Sequence, residues 1–133
     1  MKINNFIPAT FLGNKHIQTL VGILIKPSSN FIQKNSKDVK LKIDKNTSLL
    51  LNINLQENRL SSKTAIMIHG LTGSANSSYI LRIATKLYNK GYNIIRMNLR
   101  NCGETEYLTT SLYHAGQSSD LQAVINYCIK EGF

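Results

Sequence analysis

Apolar and polar positions alternate with a period of two soon after residue 37. Val39, Leu41 and Ile43 are separated by Lys40 and Lys42, and beyond the turn-like DKNTS (44–48) Leu49, Leu51, Ile53 and Leu55 recur at every second position, with Asn52 and Asn54 between them. The pattern predicts a two-stranded antiparallel hairpin with one apolar face. Ala65-Ile66-Met67-Ile68 is apolar without interruption, as in a strand covered on both faces. The period then lengthens. Ile80, Ile83, Ala84, Leu87 and Tyr88 fall at helical spacing, with Asn76 or Ser77 as N-cap and Gly91 as the stop; Tyr92 to Asn98 reads as a strand. Leu121, Val124, Ile125, Cys128 and Ile129 predict a second helix, opened by a capping-box pattern in Ser119 and Gln122 and closed at Gly132. Residues 1–36 show no clean period and hold both prolines, so they read as an extended or loosely packed N-terminal arm ahead of a domain at 37–133.

Strand, helix and strand over 64–98 predict a parallel βαβ crossover in an α/β sheet. In such sheets the loops at the carboxyl ends of the parallel strands carry function. HGLTGSANSS, starting at His69, is such a loop. Its small residues leave backbone N–H groups free to face a ligand, and the helix N-terminus behind it favours negative charge. An oxyanion hole for acyl transfer and a phosphate cradle both need that feature. The phosphate reading lacks its residues: neither G-x-G-x-x-G nor G-x-x-x-x-G-K-[ST] occurs, and the loop contains no lysine.

At 133 residues the chain is one domain at most, able to bury roughly two-thirds of its unfolded surface. Sixteen Lys and Arg against seven Asp and Glu give a formal charge of +9, with ten of the basic residues in the first 63 positions. That basic half suits an anionic ligand or partner. No aromatic-interleaved basic stripe or zinc-finger spacing accompanies it, so nucleic acid is not the expected partner. Cys102 and Cys128 are too few and too far apart for a disulfide framework or a metal site, which fits a reducing cytoplasm. The apolar run Leu20 to Ile25 is too short for a membrane span, and the N-terminus does not have the form of a signal peptide.

Four stretches together, NKHIQT (Asn14 to Thr19), HGLTGSANSSYI (His69 to Ile80), NLRNCG (Asn98 to Gly103) and YHAGQSSDL (Tyr113 to Leu121), resemble the YheT-like branch of the α/β-hydrolases, which includes abhydrolase-domain and embryogenesis-associated proteins. The resemblance runs through nearly the whole chain in the right order. It implies the N-terminal part of an α/β-hydrolase fold over 37–133, and activity on carboxylic or lipid esters without a cofactor or metal. It also implies an oxyanion loop of His69, Gly70, Leu71, Thr72 and Gly73 in which the Leu71 backbone N–H is one donor. Asn101 stands where the family usually has Gly, and Asn can hold the left-handed conformation such a turn needs. In the family the serine follows on the next strand in a G-x-S-x-G elbow, with the acid and histidine later. The chain reaches Phe133 where that strand should begin, so no catalytic triad residue is expected in it.

Local substitutes fare poorly. Gly116 to Asp120 begins like an elbow, but Asp120 replaces the second Gly and no apolar strand precedes it, so Ser118 and Ser119 read as helix caps. His69 reads as a loop-orienting residue and His114 as positional, while His16 either lines a pocket or ties down the arm. Cys102 is a loop thiol without a basic neighbour, and Cys128 belongs to the apolar helix face. The expectation is the N-terminal portion of a serine hydrolase, inactive alone. The alternatives are a small non-catalytic binding protein for an anionic ligand or partner, and a truncated gene product without function. The apolar Ala65–Ile68 strand is also expected at a bare sheet edge, which predicts self-association.

Overall fold

The computed structural model describes residues 7–24 and 30–133; the arm's remaining positions, 1–6 and 25–29, lie outside the described residues. The chain runs α1 (Lys15–Leu24), α2 (Phe31–Lys34), β1 (Lys37–Lys42), β2 (Ser48–Asn54), β3 (Thr64–Ile68), α3 (Ser78–Tyr88), β4 (Asn93–Met97) and α4 (Ser118–Glu131), with a 3-10 turn at Glu106–Leu108. One four-stranded sheet has the order β1-β2-β4-β3. β1 and β2 form the antiparallel hairpin with Val39 opposite Leu51 and Leu41 opposite Leu49. β3 and β4 are parallel, with Ile66 opposite Ile95, and α3 crosses between them.

Register sorts the apolar residues onto two faces. Leu49, Leu51 and Ile53 of β2 join Ile95 and Met97 of β4 against Val124 and Cys128 of α4. Ile94 faces the other way, with Leu81 and Ala84 of α3 and Ile32 of α2, and Ala65 and Met67 pack around them. The sheet therefore lies between α4 on one side and α2 with α3 on the other. Each side chain removed from water in these layers contributes roughly 1.5–3 kcal/mol.

Four expectations change. β4, not β3, is the strand buried along its whole length; β3 has neighbours on both faces but is half-buried because one edge is open. The arm is not extended throughout: Asn14 caps α1, its Oδ1 accepting from the N–H groups of His16 (2.8 Å) and Ile17 (3.4 Å). Ile17 and Leu20 of α1 are exposed and join neither core cluster. The capping box is not formed. Gln117 is the N-cap of α4 and makes no side-chain cap bond, Ser119 lies in the first turn, and the Gln122 amide donates to Asn126 Oδ1 at 3.0 Å. Ile83 and Ile129 sit on the exposed flanks of their helices rather than in the core, because each helix meets only a narrow four-stranded sheet.

Candidate functional site

The loop after β3 is held from four sides. The His69 side chain is 4% exposed. Its Nε2 accepts from the Leu99 N–H at 3.1 Å, so its proton sits on Nδ1, which donates to the Gly70 carbonyl at 2.8 Å. Both ring nitrogens are occupied in joining the loops after β3 and β4, and neither is free to act as a base. The Tyr79 hydroxyl accepts from the Gly70 N–H at 2.7 Å. Asn98 Oδ1 accepts from the Ala75 N–H at 2.9 Å, and Arg96 donates to the Ala75 carbonyl and to Asn76 Oδ1, both at 2.9 Å.

These bonds decide which loop amides are available. The Gly73 N–H closes a tight turn onto the Gly70 carbonyl at 3.0 Å. Ser74, Ala75, Asn76 and Ser77 spend their N–H groups on Ser77 Oγ, Asn98 Oδ1, Ser74 Oγ and the Ser74 carbonyl. The loop is thus not a general cradle of free amides. Among the described residues, the N–H groups of Leu71 and Thr72 are those left without a partner in the 70–77 stretch. The Gly70–Gly73 turn puts Thr72 at φ 58° while Leu71 keeps a negative φ, the pattern of a type II turn. A β-branched residue there is strained. The glycine that the turn needs for space is Gly73, whose added Cβ would lie 3.1 Å from the Gly70 carbonyl oxygen; at Gly70 a Cβ would meet only the Tyr79 hydroxyl at 3.7 Å.

A cavity of about 820 Å³ opens beside this turn, on the α4 side of the carboxyl ends of β3 and β4. Ile68, Leu71, Met97, Leu99, Leu112 and Leu121 supply its apolar lining, and no acidic residue contributes to it. Its outer wall is the segment between β4 and α4, anchored by Arg100. The guanidinium makes a two-pronged ion pair with Asp120, Nε to Oδ2 at 2.8 Å and Nη2 to Oδ1 at 2.7 Å, and donates from Nη1 to Ser111 Oγ at 2.7 Å. The Asp120 bonds push the Arg100 pKa up. Asp120 is therefore a structural carboxylate, which the elbow-like spelling of Gly116–Asp120 concealed. Asn101, at φ 57°, occupies the left-handed position expected of it and donates its amide to the Ser111 carbonyl at 3.0 Å.

Ser118 and His114 both line the cavity, but among the described residues no hydrogen bond joins them. His16 is exposed on α1 and does not line this cavity. Cys102 and Cys128 are buried free thiols whose pKa values burial raises, so neither is primed as a nucleophile. Among the described residues no cluster of metal-ligating side chains occurs, and no helix is long and apolar enough to cross a membrane. Sequence reasoning missed Arg96. It is fully buried on the central strand, a single charged position inside an otherwise apolar run.

No protein-family model matches the chain. An abhydrolase domain-containing protein of Dictyostelium discoideum is 28% identical over 127 residues, covering 94% of this chain and 32% of that protein. The embryogenesis-associated protein EMB8 of Picea glauca is 23% identical over 126 residues, covering 88% and 27%. The chain thus spans about a third or less of the curated relatives it matches. XC6422 from Xanthomonas campestris, an α/β serine hydrolase without a lid, superposes with a TM-score of 0.58 at 26% identity over 71% of this chain and 44% of its own. The Pyrococcus furiosus esterase Pf2001 gives 0.60 at 23%, over 80% and 43%. The fold is that of part of an α/β-hydrolase, and relatives and structures together support that superfamily.

Proposed function

We propose that the chain contributes the oxyanion loop and an apolar substrate wall to a serine hydrolase of carboxylic or lipid esters, in the YheT-like branch of the superfamily. The observation that carries this reading is the unpartnered Leu71 N–H beside an apolar cavity at the carboxyl ends of two parallel strands. His69, Gly70, Thr72 and Gly73 shape the turn that presents it. A backbone donor fixed before reaction stabilises the charge developing on an ester carbonyl oxygen at little reorganisation cost, and one such donor is worth about 100- to 1,000-fold in rate. Ser118 and Ser119, in the stretch that begins like a nucleophile elbow, sit in the first turn of α4.

The 133-residue chain should therefore show neither fluorophosphonate labelling nor turnover of p-nitrophenyl esters above background. Stoichiometric labelling of a serine would overturn this. Fused to a segment carrying a G-x-S-x-G elbow, an acid and a histidine, it should gain activity, and Leu71→Pro should then lower kcat about 100-fold. A second reading, a non-catalytic binding protein for an anionic ligand, is favoured by the N–H groups of Leu71 and Thr72, unpartnered among the described residues. In either case the bare β3 edge supports self-association and the free buried thiols suit a reducing, cytoplasmic setting.

A further inference from the structure

We propose that α1 and the turn before it dock on the surface of an anionic bilayer, with Phe11, Ile17 and Leu20 entering the boundary between headgroups and acyl chains while lysines meet the lipid phosphates. Neither the loop after β3 nor the cavity takes part.

Three observations converge. First, charge is divided along the chain. The first 37 residues hold Lys2, Lys15, Lys26, Lys34 and Lys37 and no acidic residue, all seven Asp and Glu coming after them. An anionic lipid surface attracts such a segment, each lysine close to it tightening binding about fivefold. Second, α1 has two unlike sides. Ile17, Leu20 and Val21 share one face at i, i+3 and i+4, and Lys15 and Thr19 lie on the opposite one. That apolar face is not spent on the core, for Ile17 and Leu20 are 43% and 58% exposed. Ten residues rise only about 15 Å, half of a hydrocarbon core, so α1 can lie along a bilayer but not cross it. Third, the turn before α1 directs an aromatic ring outward. Phe11 sits at φ 69° and is 90% exposed, a left-handed conformation that a bulky residue adopts at a cost. The Leu12 N–H closes this turn onto the Ala9 carbonyl at 2.8 Å, and the Gln18 amide of α1 donates to the Leu12 carbonyl at 2.5 Å. The ring is thus held beside α1 where the protein buries almost none of it, and acyl chains would bury it. A second copy is the poorer occupant: a two-fold contact through this face would set the same acid-free, lysine-bearing segments against each other.

The test is co-sedimentation of the 133-residue chain with phosphatidylcholine vesicles, pure or containing about 30% phosphatidylglycerol. The mixed vesicles should bind at least about tenfold more tightly than the pure ones, and added salt should weaken them. Phe11→Ser and Leu20→Ser should each cost about tenfold on mixed vesicles. Lys15→Glu should cost about tenfold there and little on pure phosphatidylcholine. These side chains are exposed, so the variants should keep the parent's urea midpoint. The chain contains no Trp, which makes Phe11→Trp a single fluorophore; it should bind within about threefold of the parent and be quenched by lipids brominated on their acyl chains. An indole that stays unquenched on bound vesicles would overturn the proposal. So would binding that survives Phe11→Ser and Leu20→Ser but is lost in Lys40→Gln with Lys42→Gln, since charge on β1 alone would then hold the surface. A parent that ignores vesicles and forms a dimer broken by Leu20→Ser would assign the face to a second copy. Vesicle binding that disappears in the fused hydrolase would assign it to the added segment, and either result overturns the proposal while leaving the oxyanion reading intact.

Discussion

Arg96 and Arg100 stand four residues apart, one inside β4 and one just beyond it, and they solve the burial of a cation in opposite ways. Arg100 meets Asp120 in a two-pronged ion pair, and its pKa is raised. Among the described residues Arg96 has no carboxylate in contact: it bonds the Ala75 carbonyl, Asn76 Oδ1 and, at 3.4 Å, the Ile32 carbonyl, and its Nε is unpartnered. Burial pushes its pKa down to about 10, with Asp38 opposing the shift through space. Each arginine fixes one of the two segments that flank the cavity, Arg96 the loop after β3 and Arg100 the wall before α4. The difference shows that a central strand can carry a charge where neutral dipoles replace water, whereas just beyond the strand a carboxylate takes that part.

The largest effect should come from breaking the charged pair. Asp120→Asn leaves Arg100 buried without its counter-charge and should lower unfolding free energy by about 3–5 kcal/mol in urea denaturation. Replacing both partners, Arg100→Met with Asp120→Leu, should cost clearly less. A double variant as unstable as the single one would mean that the geometry of the fork, and not the stranded charge, is what matters.

Arg96→Met should cost less, about 1–2 kcal/mol, because the lost bonds to Ala75 and Asn76 are offset by relief of desolvation. pH sharpens this point. The folded pKa of Arg96 lies below its unfolded value, so above about 10 the unfolded chain binds more protons and the residue's contribution to stability rises with pH. The stability of the parent relative to Arg96→Met should thus increase as the pH is raised through and above about 10. A flat difference would show that the guanidinium stays charged throughout.

The smallest effect compares the two turns themselves. Thr72→Gly removes a β-branched residue from a left-handed position and should stabilise by about 0.5–1 kcal/mol. Asn101→Gly relieves a similar φ but loses the bond to Ser111, so thermal unfolding should show no gain. Stabilisation by both would mean that the Asn101 bond contributes nothing to the wall.

Most of the fold was legible because its signals are local. The hairpin followed from alternating Val39–Leu55, and α3 and α4 from apolar spacing along single helices. The candidate loop was legible as a turn between strand and helix. Which of its amides stay unpaired was not, because Asn98 and Ser77 claim them from positions that the loop sequence does not reveal. α1 was legible too: Ile17, Leu20, Val21 and Leu24 stand at helical spacing, and the prolines at 8 and 27 that flank them drew the reading of an arm.

The sequence by itself determined the succession of elements, the parallel crossover and a small-residue loop at the carboxyl end of β3, since periodicity and turn chemistry act over a few neighbouring residues. Only the tertiary structure decided that Arg96 can lie on β4 among backbone and amide acceptors, and that Asp120 serves Arg100 rather than chemistry. The bonds responsible join residues 20 positions apart for Arg100 and Asp120 and 30 apart for His69 and Leu99. Strand order brings such partners together, and no local pattern encodes that.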